Sequence, residues 1–309
     1  MMGVLNHLST LLLLSLLPPA LSHVVEKFSV VPQCEEFFLE GTTPNLPGIL
    51  VGGTVQDQNR YKPICQLYNN IYRFATLYDT TNRIPVFSAY TFTGYTTGRP
   101  KQDWMIEPQL EDEMNVDNKA VTHQAADTDY LHNGLGLTRG HLFPCSYGPD
   151  DATKSSTFTL TNAVPQYDTF NGGSWNTMEG DVRTTLNLNC KDANDQIKAY
   201  VVTGAVPSES NTLNNRVNIP DLLWTAYCCY NINLKQWVAQ AHWGENVSET
   251  KGKTLPSKTL AELYVMLNKH YPGGDVQVFP NKCSPQTALV GRIVSTLGNI
   301  KNYVINKIG

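Results

Sequence analysis

The chain has 309 residues, 41% hydrophobic and 16% charged, which suits a folded globular protein of one large domain or two small ones. Its formal net charge is −4, which excludes a protein that grips nucleic acid over a long surface, because phosphate contacts dominate such binding. Any phosphate chemistry must be confined to a local site.

Taken in chain order, residues 1–22 read as a secretory signal peptide. An apolar run from Leu11 to Leu17 is followed by Pro18 and Pro19, and small residues Ala20 and Ser22 stand at −3 and −1 before His23. No basic segment precedes the run, and the run is too short to span a bilayer, which takes roughly 20 apolar residues. A secreted or lumenal protein without a membrane anchor is expected. Residues 23–60 are turn-rich. The segments "RFATLYD" and "IPVFSAYTF" alternate apolar and polar positions around the turn formers Asp79–Asn82, which predicts a hairpin. "SSTFTLTNAVPQ" predicts a further strand running into a loop at Pro165. "IKAYVVTGAVP" predicts a buried strand from Ile197 to Val202, stopped by Gly204 and Pro207. "LLWTAYCCYN" and "QWVAQAHWG" predict a second hairpin. In "SKTLAELYVMLNKH", Leu260, Leu263, Met266 and Leu267 share one helical face. The sum is an α+β fold with an antiparallel sheet core. No compositional break divides it, so one domain over 23–285 and a tail over 286–309, ending in a short helix, are expected.

All seven cysteines follow residue 22, and no CxxC pair occurs. An oxidising compartment predicts disulfides with one cysteine left over. Cys228 and Cys229 point to opposite faces of a strand and so take different partners. Cys145, beside Pro144 and four residues after His141, reads as a half-cystine rather than a thiol nucleophile. Asn246-Val247-Ser248 is a glycosylation sequon.

The chemistry-bearing pattern begins in "GLGLTRGHLFPCSYG". Asn171 follows His141 by thirty residues, and Glu179 follows Asn171 by eight, in "TNAVPQYDTFNGGSWNTMEGDVR". A helix after Gly172-Gly173 would space Asn171, Trp175 and Glu179 by four along one side, with Trp175 as the packing anchor. A His, an Arg, an amide oxygen and a carboxylate fit phosphodiester hydrolysis. Neutral imidazole takes a proton from water. A hard cation such as Mg²⁺ takes oxygen ligands and keeps most of its waters. An arginine stabilises developing negative charge. On the ordinary imidazole value near 6.5, activity is expected to fall in acid as His141 gains a proton.

"TRGHLFP", "TNAVPQ" and "NGGSWNTME" resemble the DNA/RNA non-specific endonucleases of the His-Me (ββα-metal) finger superfamily, and "QAADTDY" and "VVTGAVPSES" extend that likeness over most of the chain. "RPKQDWMIEPQL" and "RVNIPDLLWTAYCC" resemble vertebrate members more narrowly. The resemblance implies a ββα-metal finger acting on DNA or RNA. It implies His141 as general base, Asn171 as the one direct protein ligand of Mg²⁺ (or another divalent cation such as Mn²⁺), and Glu179 ordering the ion's water shell. It implies that Arg139 contacts phosphate, and that Asn162 and Gln166 form the polar pair flanking Pro165, with Asn162 on the substrate side. A further cation before Trp104 is implied, for which Arg99 and Lys101 both qualify.

One position departs from the pattern. The family's tetrad is Asp-Arg-Gly-His, and Thr138 stands here for the Asp. The lost charge predicts weaker cation binding and slower turnover. Thr138 and the net negative charge also fit a second reading, a secreted binding or immune-interaction module that keeps the fold with little activity. A phosphodiesterase of small nucleotides would need a closed pocket. For single residues, Asn171 also reads as a turn former, Glu179 as an exposed helix charge and Arg139 as half of a structural ion pair.

Overall fold

A computed structural model describes residues 23–111 and 121–283. The expected leader and tail lie outside the described residues. The centre is a six-stranded, wholly antiparallel sheet of β1 (Tyr61–Tyr68), β2 (Ile71–Asp79), β3 (Ile84–Phe92), β6 (Ala199–Val206), β7 (Leu222–Asn231) and β8 (Gln236–Glu245). The order across the sheet is β8-β7-β6-β3-β2-β1. Outside it, β4 (Leu137–His141) and β5 (Ala163–Tyr167) form a separate hairpin. Four helices bear on the argument: α1 (Asp127–Tyr130), α2 (Asp151–Ser156), α3 (Asn176–Asn189) and α4 (Leu260–Leu267).

Both predicted hairpins form, because alternating apolar residues flank strong turn formers. Alternation gives the sheet two apolar faces, each covered by a different layer. Phe87, Trp224 and Ala226 join one core with Leu39, Leu46 and the α4 residues Leu260, Leu263, Met266 and Leu267. Phe74, Tyr90 and Leu223 join the other, with Leu137 and Val164 of the β4–β5 hairpin and Trp175, Met178, Val182 and Leu186 of the helix that follows. The candidate site lies on this second layer, where hairpin and helix make the ββα arrangement expected from the sequence.

The disulfides follow the same alternation. Cys228 faces the first core and bonds Cys283; Cys229 faces the second and bonds Cys190 at the end of α3. Cys34 bonds Cys65, and Cys145 is the free thiol, buried and with its pKa pushed up by that burial. The expectation of a half-cystine at Cys145 is therefore corrected.

Three further expectations change. Gly204 does not stop its strand but lies inside β6, where a Cβ would clash with the Trp224 ring and lie 2.7 Å from Val86 O. The strand predicted over "SSTFTLTNAVPQ" begins only at Ala163, because Asp150 caps α2 by accepting Thr153 N–H at 2.7 Å, and it continues through Pro165. The sequon asparagine is buried at 4% exposure, its Nδ2 donating to Pro165 O and Pro220 O at 2.9 Å each, and its Oδ1 accepting Tyr167 N–H at 3.1 Å. With every polar position of Asn246 used inside the fold, it is no surface acceptor for a glycan.

Candidate active site

β4 pairs with β5 from Leu137↔Tyr167 to His141↔Ala163. The two-residue period puts Arg139 and His141 on one face, and Thr138 and Gly140 on the other. Position 140 favours glycine, since a Cβ there would lie 2.8 Å from Gln166 Cβ. The turn after β4 is fixed by Asn162, fully buried, whose Nδ2 donates to Phe143 O (3.1 Å) and Thr157 O (3.0 Å). Its Oδ1 accepts Phe143 N–H (2.9 Å) and Ser88 O–H (2.8 Å). The expected substrate contact at Asn162 is corrected: its hydrogen bonds are all spent on the scaffold.

On the first face the His141 ring lies 4.8 Å from Trp104 and meets Phe158 edge-on at 5.0 Å. Arg99 stacks over Phe158 at 4.7 Å, and Arg139 over Trp104 at 5.5 Å. Arg139 Nη1 also pairs with Asp127 Oδ1 at 2.6 Å, so this arginine is partly committed to a structural ion pair. Burial pushes the His141 imidazole down to about 3, and the charges of Arg99 and Arg139 push the same way. His141 Nε2 is shielded and has no partner. Sequence spacing left Arg99 and Lys101 equivalent; both are exposed, and Arg99 is the one that lies over Phe158 beside His141, whose imidazole its charge pushes down.

On the second face stands the predicted cation ligand. The helix starts at Asp168, widens into a π-type turn over Asn171–Trp175 and continues as α3. Gly173 leaves helical geometry at φ −99, ψ −115, so the regular four-residue spacing expected from Asn171 to Glu179 is interrupted. Trp175, 1% exposed and 5.6 Å from Phe170, is the anchor. Asn171 Nδ2 donates to Thr138 Oγ1 at 3.1 Å, and that hydroxyl donates to Gln166 O at 3.4 Å. No donor among the described residues takes Asn171 Oδ1, so the amide is oriented with its oxygen free. Glu179 is half-buried; burial pushes its carboxyl up to about 8, against the pull of the Trp175 indole N–H and of Arg183. The indole acts on the carboxylate without closing a well-shaped hydrogen bond.

The predicted residues thus form two groups: Arg99, Arg139 and His141 around Trp104 and Phe158, and Asn171 with Glu179 along the helix. No hydrogen bond or ion pair joins His141 to Asn171 or Glu179 among the described residues. The groups meet along β4, where Thr138 and His141 are three residues or about 10 Å apart. Sequence reasoning missed Trp104, Phe158 and Asp127, and also Arg183. Arg183 follows Glu179 by four, which helical spacing alone would have exposed; it stacks on exposed Tyr95 at 4.4 Å and donates to Ser146 O at 3.3 Å.

These residues fit a divalent cation. An oriented amide oxygen that no donor among the described residues takes, and a carboxylate further along the same helix, are the oxygen ligands that a hard, mostly hydrated ion uses.

Comparison with known proteins identifies the family and the fold. A family model described as DNA/RNA non-specific endonuclease matches residues 56–265. The chain is 33% identical over 210 residues to the human endonuclease domain-containing 1 protein and 32% over 211 residues to the mouse one, 64% of this chain in each case. Those matches span 39% and 38% of the relatives' own lengths. A nuclease of Nostoc sp. is 26% identical over 127 residues, 39% of this chain and 42% of that protein. In fold, a chain in the crystal structure of the EndoG/EndoGI complex superposes with a TM-score of 0.51 at 17% identity, covering 70% of this chain and 86% of that one. The chain belongs to the DNA/RNA non-specific endonuclease family.

Proposed function

We propose that the chain is a secreted, Mg²⁺-dependent endonuclease that hydrolyses phosphodiester bonds of DNA, RNA or both. The observation that carries this reading is His141 Nε2, a ring nitrogen without a partner beside two arginines. A buried polar atom left unpaired is costly, and a nucleophile about to lose a proton is a partner for it. Three disulfides are compatible with secretion, and among the described residues no helix is long and apolar enough to cross a membrane.

His141 accepts a proton from the attacking water while a bond forms to phosphorus and the leaving oxygen departs. Arg99 lies on the irregular segment between β3 and Trp104, and moves from the Phe158 ring to a non-bridging phosphate oxygen. A phosphate between Arg99 and Arg139 offsets the two charges that depress His141, so substrate binding strengthens the base. Asn171 offers Oδ1 to the cation, Thr138 keeps that oxygen aimed, and Glu179 orders the surrounding water. When bound, the cation supplies charge neutralisation at the scissile phosphate.

A second reading, a nuclease-fold binding module without turnover, draws on Thr138 and on the Arg139–Asp127 pair. Purified protein incubated with plasmid DNA and with RNA, in Mg²⁺ or EDTA, separates the two. Cation-dependent cleavage that falls on the order of 10²- to 10⁴-fold in His141→Ala is expected. Absence of cleavage with every divalent cation tried would refute the enzymatic reading.

A further inference from the structure

The segment Asn246–Glu249 leaves the end of β8 and crosses to the far side of the candidate site. It touches the chain on both sides of Asn171. Upstream, Asn246 holds Pro165 O and Tyr167 N–H, and Glu249 N–H donates to Thr169 Oγ1 at 3.0 Å. Ser248 Oγ lies 3.2 Å from the same Thr169 hydroxyl. Downstream, the Glu249 carboxylate accepts Ser174 N–H at 2.7 Å with Oε1 and Ser174 O–H at 3.0 Å with Oε2. The turn carrying Asn171 is thus pinned two residues before it and three residues after it by Ser248 and Glu249, with Asn246 fixing the strand just upstream.

The helix is shaped to receive that carboxylate. At Gly173 a Cβ would lie 2.5 Å from Glu249 Oε1, so glycine leaves the carboxylate room to reach the Ser174 amide as it does here. Gly173 is also where the chain leaves helical geometry and widens at Asn171–Trp175. In a regular helix Asn171 would point elsewhere, since a π-type turn rotates the residues before it relative to those after it.

We infer that Glu249 is a positioning residue for the cation site: its carboxylate holds the widened turn that aims Asn171, while Thr138 fixes the amide's rotation. The inference rests on the proposed role of Asn171 as the cation ligand. It also explains why the sequon asparagine is buried, since Asn246 anchors the same clamp.

The test uses the full, disulfide-intact protein with Mn²⁺ as the probe, binding measured by calorimetry without nucleic acid, and kcat and KM measured on plasmid. Glu249→Ala is expected to weaken Mn²⁺ binding about 10- to 100-fold, as loss of groups that orient metal ligands does, and to lower kcat with KM for DNA unchanged. Glu249→Gln keeps an oxygen for Ser174 N–H and is expected to recover most of the affinity. Leu263→Ala, in α4 on the opposite side of the sheet, lowers the melting temperature without moving Mn²⁺ affinity. If the wild type binds Mn²⁺, Asn171→Ala abolishes binding and Glu249→Ala binds as the wild type does, the clamp is refuted and Asn171 stands. If Leu263→Ala weakens binding as much as Glu249→Ala, the effect is one of stability and the inference also falls. If Asn171→Ala leaves Mn²⁺ binding intact, the ligand assignment fails and takes the inference with it.

Discussion

Thr138→Val removes one hydroxyl and little else. Valine keeps the size and β-branching of threonine, so β4 keeps its strand preference. The hydroxyl accepts Asn171 Nδ2–H at 3.1 Å and donates to Gln166 O at 3.4 Å. The longer bond contributes little, and the shorter one is worth about 1 kcal/mol net. Without it nothing distinguishes the two faces of the Asn171 amide, and the turned-over amide offers N–H groups to a cation. The freed side-chain rotation adds roughly 0.5 kcal/mol. The sum, about 1.5 kcal/mol, corresponds to about tenfold in cation affinity. Calorimetric titration with Mn²⁺ and the Mg²⁺ dependence of plasmid cleavage both report it. The apparent constant for the cation should rise about tenfold, while the rate at saturating Mg²⁺ stays within about threefold of the wild type. Thr138→Ser should bind as the wild type, and Thr138→Asp more tightly, since it keeps the acceptor and adds charge. An unchanged cation constant in Thr138→Val would refute the claim that this contact aims Asn171.

Protonation of His141 should give no acid limb in kcat/KM between pH 5 and 8, because in the free protein burial holds the ring near 3, against the sequence expectation of a loss near 6.5. Glu179 runs the other way: its carboxyl, raised to about 8, must lose a proton to serve a cation, so apparent Mg²⁺ affinity should rise with pH to about 8. A rate that drops with a midpoint near 6.5 at saturating Mg²⁺ would show an ordinary imidazole instead. Asn162→Ala removes the bonds of three buried backbone groups at about 1 kcal/mol each, while Ser88 keeps Thr76, so the melting temperature should fall by roughly 10 °C with KM for DNA unchanged; a raised KM at unchanged stability would return Asn162 to the substrate. Replacing Cys190 and Cys229 together by serine opens a bridge of sequence separation 39, a loss of about 4 kcal/mol by loop closure, which thermal melting reads as roughly 10 °C; a shift under about 3 °C would show that α3 is held by packing alone.

What could be read from the sequence was local and periodic. The two sheet hairpins and α4 were visible because one short window held both the alternation and its punctuation. The opposed directions of Cys228 and Cys229 followed from the same period, and their partners did not, because Cys190 and Cys283 reach them only through the fold. Gly204 looked like a terminator because the reason for it, the Trp224 ring on the neighbouring strand, lies twenty residues away. Asn246 looked like an exposed acceptor because a triplet carries no information about Pro165, Tyr167 and Pro220. The nearness of Arg99, rather than Lys101, to Phe158 and His141 comes from the fold, which no spacing within "GRPKQDW" contains. Asp150 is the exception, a cap legible before Thr153 that should have moved the predicted strand to Ala163.

Thr138 shows how far a motif comparison carries. Against the family's tetrad it registers only as a missing charge. A carboxylate accepts hydrogen bonds and, when ionised, donates none, whereas a hydroxyl does both. In this chain Thr138 does both, accepting from Asn171 and donating to Gln166 O; an ionised Asp there would set its oxygens against that carbonyl. The substitution therefore separates two jobs that a carboxylate combines. The aim of the Asn171 amide is kept by geometry, and only the electrostatic pull on the cation is lost. A site altered in this way is weaker for its ion but no looser, so higher Mg²⁺ should recover the rate. On the proposed role of Asn171, its contact with Thr138 would keep the cation ligand in place with lowered affinity for the ion.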